Sequence, residues 1–120
     1  MSFLRLLPKI SAPPVKREGF NESIQVEEFV SRFEARLAEM QRGLDENEQL
    51  DVVAFLPSGQ AISVEVIGYT NPSLVILYGR EQESGKACTL LAHQSSIQVL
   101  VSIESIPSGS QRRLVAFQAE

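Results

Sequence analysis

"LVILYGREQESGKACTLLAHQSSIQVLVSIESI", residues 74–106, is the stretch on which the fold turns. Its apolar runs at 74–78, 87–92 and 97–103 are short, and bounded in the way of strands rather than helices. Two polar interruptions of different kinds separate them. Gln82 to Lys86 contains Gly85 and reads as a hairpin turn, because glycine supplies the backbone freedom that tight turns need. His93-Gln94-Ser95-Ser96 holds neither glycine nor proline, yet it divides two apolar runs and carries the only histidine of the chain. His93 is therefore either a chemical group or part of a structural link.

Working outward from this stretch, the period-2 pattern continues towards lower numbers. Residues 50–56 form an apolar, β-branched run ended by Pro57-Ser58-Gly59. Residues 60–68 alternate, with Ile62, Val64 and Val66 on one face and Ser63 and Glu65 on the other. Tyr69 to Ser73 reads as a loop. Before residue 50 the period changes: Val26, Phe29, Val30, Phe33, Leu37, Met40 and Leu44 make one stripe of a helix of period 3.6. Asn21 and Ser23 are available as N-caps, and Gly43 marks the stop. One helix followed by five short antiparallel strands predicts a mainly β fold, a small five-stranded barrel with an N-terminal α-helix as its lid. The run 114–117 is expected to add an edge strand or to dock on a neighbour. The expected organisation is a basic, proline-containing arm over 1–20, a domain over 21–106 (helix 24–43, barrel 49–106) and a tail over 107–120.

The chain has 120 residues, enough for one domain and one core, and its 43% hydrophobic content fits a globular protein. The net charge of −4 is unevenly distributed. Arg5, Lys9, Lys16 and Arg17 precede any acid, whereas Glu18 to Asp51 holds ten acids against Arg32, Arg36 and Arg42. Without a global basic patch, charge-driven binding to duplex nucleic acid is not expected. No apolar run is long enough to span a membrane, and residues 1–17 lack the apolar core of a secretory signal, so a cytoplasmic protein is expected. The single cysteine, Cys88, excludes an internal disulfide and a multi-cysteine metal site. Cys88 and His93 are five apart and point to opposite faces if extended. The acids sit on the wet face of the helix, and no glycine-rich phosphate loop is present. No catalytic residues, cofactor or metal are expected.

The order of parts resembles the Sm-like superfamily, in particular its Hfq-like branch, over residues 26–106. "VVAFLPSGQAISVEVIG" is similar to the opening of the family's first motif, "YTNPS" to its loop and "LVIL" to its third strand. "LLAHQSSIQVLVS" is similar to the second motif, with His93 at the family's histidine and Ile97 near its isoleucine. The resemblance implies a five-stranded Sm-like (SH3-like) barrel whose fourth and fifth strands are joined by a one-turn connector, here "HQSS". Ser95 and Ser96 can bond local backbone in a right-handed turn of that kind, which needs no glycine. It also implies pairing of fourth and fifth strands between subunits, which closes a homo-oligomeric ring of about five to seven copies.

Single-stranded RNA is the partner the resemblance implies. Tyr69 would stack a base, Asn71 would read a base edge, and His93 and Gln94 would donate from the connector of the next subunit. Arg80, Lys86, Arg112 and Arg113 are candidate phosphate contacts. The acidic helix, and Ala92 where the family pattern has lysine, fit an alternative: a homo-oligomeric scaffold that binds protein through 1–20 or 110–120 and no nucleic acid. A monomeric SH3-like adaptor with an exposed fifth-strand edge is a further alternative.

Overall fold

The 3.6-residue stripe becomes one helix, α1 (Gln25–Arg42), entered through a single 3-10 turn at Glu22–Ile24 in a computed structural model that describes residues 22–118. The arm expected over 1–20 and the candidate cap Asn21 lie outside the described residues. Val26, Val30 and Leu37 are buried, and Phe29, Phe33, Met40 and Leu44 pack against the same core. Ser23 does not cap the helix: Ile24 stands at the N-cap position, and no side chain bonds there. The Pro72 carbonyl does that work from another part of the chain, accepting from the Val26 N–H at 2.8 Å. Gly43 ends the helix as expected, at an ordinary φ of −89°.

The remaining elements are β1 (Glu48–Phe55), β2 (Ala61–Thr70), β3 (Leu74–Glu81), β4 (Ala87–His93), β5 (Val99–Ser105) and the two-residue β6 (Ala116–Phe117). The first five form an antiparallel sheet in the order β4-β3-β2-β1-β5. It is an open sheet, which corrects the closed five-stranded barrel. Closure would require β5 to reach β4, but β5 pairs with β1 along Glu48–Ala54, while β4 pairs with β3. The outer edges of β4 and β5 therefore have no partner strand among the described residues.

A second opening lies inside the sheet. β1 and β2 pair only between 53–55 and 61–63. Beyond Val64 the register of β2 against β3 shifts by a bulge at Glu65, and bulges bend the strand that carries them. Gly79 of β3 stands opposite Val64, and a Cβ there would overlap the Ser63 carbonyl oxygen. The partner strand thus provides the space that the bend of β2 requires. The first part of β1 and the last part of β2 diverge, and residues 112–118 run into the seam between them. There β6 pairs with β2 in parallel, Ala116 beside Val66 and Phe117 beside Ile67. The expected extra strand forms, but within the sheet and not along its outside. The core lies between α1 and the sheet, where Leu50, Val52, Ala54, Val64, Ile67, Val75 and Leu77 meet the helix stripe.

Candidate functional site

Four of the residues singled out in the sequence meet at one end of the sheet. Leu74 pairs with both Thr70 and His93, so the turn at 71–73 and the β4–β5 connector are neighbours. The Gln94 N–H donates to the Ser73 carbonyl at 2.8 Å and ties them together. Tyr69, Asn71, His93 and Gln94 therefore share this end. Tyr69 lies on β2, not in a loop, because β2 stays paired with β3 as far as Thr70. Its ring is half-buried against the core, which leaves only part of it for stacking. Asn71 precedes a cis peptide bond to Pro72 and donates from Nδ2 to Glu27 Oε1 at 3.2 Å. Beside the loop that was expected to read bases there is therefore a carboxylate.

The connector is one turn of 3-10 helix, Gln94–Ser96, with His93 at its N-cap. His93 Nδ1 accepts from the Ser95 N–H at 3.1 Å and lies 2.8 Å from Ser95 Oγ. With Nδ1 accepting a backbone hydrogen, the neutral ring carries its proton on Nε2, which is then a donor for an outside group. His93 is thus a structural cap first, with one nitrogen to spare. Gln94 Oε1 is buried with no hydrogen-bond partner.

The four candidate phosphate contacts are not gathered at this end. Arg80 pairs with Ala87 at the opposite end of the β3–β4 hairpin, about 20 Å from His93 at the rise of a strand. Its guanidinium donates to the Gly85 carbonyl and lies 3.5 Å from Glu65. Lys86 is exposed beside it. Arg112 and Arg113 are engaged in the seam. Arg112 donates from Nε to the Glu48 carbonyl at 2.8 Å and from Nη2 to the Asp45 carbonyl at 2.6 Å. Arg113 donates from Nη2 to Glu104 Oε2 at 2.7 Å and stands 4.0 Å from Asp51.

Two groupings escape the sequence reading. Gln49, to which the sequence assigns no role, is 1% exposed and bridges the seam. Its Nε2 donates to Glu104 at 2.7 Å, and its Oε1 accepts from the Arg113 N–H at 2.9 Å. Asp51 stands one strand repeat along. Its carboxyl is raised above the ordinary range, first by burial and then by Glu104, with Arg113 opposing. Alternation of Gln49 and Asp51 on β1 is visible in the sequence, but their partners lie some fifty or more residues away. The second grouping is an open apolar hollow of about 460 Å³ beside the connector. Phe29, Phe33, Ile97 and Val99 line it, with Arg32 and Arg36 among its walls.

Cys88 and His93 fall on opposite faces of β4, in keeping with the alternating burial of that strand. Among the described residues no group of three or more His, Cys, Asp or Glu side chains is placed to hold a metal ion. No helix among them is long and apolar enough to cross a membrane. No protein-family model, curated protein or solved structure matches this chain.

Proposed function

We propose that this chain is a self-assembling β module of the Sm-like kind, in which β4 of one copy pairs with β5 of the next to close a ring of about five to seven subunits. One observation carries the reading. The two strands joined by a single-turn connector end up at opposite edges of the sheet, and neither edge has a partner strand among the described residues. Unpaired edges invite pairing with another chain. Their exposed apolar side chains, Leu91 on β4 and Leu100 and Ile103 on β5, are 60%, 55% and 57% exposed, a pattern that favours burial by a neighbour. The decisive measurement is the native mass in solution. We expect a single ring species at micromolar concentration, shifted to monomer by Leu100→Lys; a wild-type monomer would overturn the reading.

Single-stranded RNA binding is the second reading, favoured by the meeting of Tyr69, Asn71, His93 and Gln94 at one end of the sheet. In this reading Arg32 and Arg36, which share the apolar hollow with Ile97 at the end of the connector, supply the phosphate contacts. It ranks second because Glu27 holds Asn71 and because Ala92 occupies the place of the family's lysine. Anisotropy with labelled U-rich and A-rich RNA at low salt tests it. Binding that weakens with salt and with Arg32→Glu or His93→Ala is expected. Absence of binding at low salt leaves a protein scaffold.

A further inference from the structure

We propose that the seam between β1 and β2 is a peptide-binding groove, which residues 112–118 occupy as an internal ligand. Its partner is an extended protein segment with two adjacent basic residues followed by apolar residues at alternate positions.

The seated segment defines the chemistry. Two backbone carbonyls, of Asp45 and Glu48, grip the first arginine of the pair. Glu104 and Asp51 face the second, and Gln49 bonds its N–H. Val115 and Phe117 then pack on the core at alternate positions, while Leu114 points outward and is 67% exposed. Phe117 meets Phe33 edge to face, ring centres 6.2 Å apart. The pattern is basic-basic-x-apolar-x-apolar, held on an exposed strand edge by main-chain bonds, the mode in which extended peptides add to sheets. Further along, the Gln118 N–H donates to the Ile67 carbonyl at 2.9 Å.

The internal ligand is built to be displaced. Its ladder is only two residues long, whereas Ile67 and Val52 beneath it are 0% and 2% exposed. No residue of 112–118 is itself fully buried. Hollows of about 220 and 240 Å³ flank it, and Leu114 and Val115 line both. The groove is therefore underfilled, and a bulkier side chain at the Val115 position gains contact. What favours the internal segment is its tether, the six residues 106–111, which include Pro107, Gly109 and Ser110.

Lengthening that tether tests the proposal without touching the groove. Effective concentration falls as about the −3/2 power of loop length, so extending six residues to about twenty-four with Gly/Ser insertions lowers it about eightfold. A labelled peptide of sequence SQRRLVAFQ should bind this full-length variant about eightfold more tightly than the wild type. The same peptide with leucine at the Val115 position should bind tighter still, and one with both arginines replaced by glutamate should not bind. Arg112→Ala/Arg113→Ala, which keeps Val115 and Phe117, gives a second route to the same gain. Backbone and side-chain amide shifts should change at Gln49, Val66 and Ile67. Equal affinity for wild type and both variants, or equal binding of the glutamate peptide, would overturn the proposal. So would shifts confined to the outer edges of β4 and β5. A doubled mass of the long-tether variant with unchanged peptide affinity would also overturn it, in favour of exchange between copies.

Discussion

The seam between β1 and β2 and the outer edges of β4 and β5 are both gaps in backbone pairing. Residues 112–118 close the first, and no strand among the described residues covers the second. At the seam, apolar core lies directly beneath the gap, so water must be excluded, and a tethered segment does this at little entropic cost. At the outer edges no core lies beneath the gap, so the backbone groups can be solvated, and Leu91, Leu100 and Ile103 stand exposed where a neighbouring copy would cover them. The difference teaches that an unpaired edge is intolerable where it uncovers a core, and otherwise remains available for assembly.

The most damaging way to break this contrast is to remove the bend that creates the seam. Gly79→Val places a branched side chain against the Ser63 carbonyl and should cost about 3 kcal/mol or more, read as a lower urea midpoint. A variant within 1 kcal/mol of wild type would mean that the bulge at Glu65 alone makes the bend. Emptying the filled gap comes next. Phe117→Ala removes the contact with Phe33 and opens the core, at about 2 kcal/mol for a half-buried ring. If stability is unchanged, residues 112–118 do not close the seam in solution.

The connector that separates the two edges gives a smaller effect. His93→Ala loses the bond from the Ser95 N–H and should cost about 0.5–1 kcal/mol. His93→Asn, which can still accept that bond, should recover most of it. The smallest effect concerns the polar clasp of the seam. The Asp51 carboxyl is raised by burial and by Glu104, so the folded chain binds its proton more firmly than the unfolded chain does. Between the ordinary value of about 3.9 and the raised one, stability therefore falls as pH rises through that window. Asp51→Asn should flatten this part of the urea-midpoint profile and leave stability at pH 7 equal or slightly higher. A clear loss at pH 7 would show that the ion pair with Arg113 outweighs the burial.

What could be read before folding follows from local rules. The stripe from Val26 to Leu44 packs as a helix stripe must, and the turns around Gly59 and Gly85 have the positive φ that their glycines suggest. The "HQSS" link is a single 3-10 turn, a form that the resemblance implied and that the residues alone left open. Other features could not be read locally. Tyr69 and Thr70 belong to a strand because β3 continues to pair with them. The helix is capped by Pro72 instead of Ser23. Gln49, which no local pattern singles out, is the most buried polar residue described.

By itself, the sequence determined the helix, the five main strands and the turns at Gly59 and Gly85. These depend on periodicity and turn chemistry, which act over a few residues. Only the tertiary structure decided that the sheet stays open, that Gly79 makes room for the bend of β2, and that residues 112–118 enter the seam. Each of these depends on atoms far apart in the chain competing for the same space or the same hydrogen bond, and no local pattern encodes the outcome.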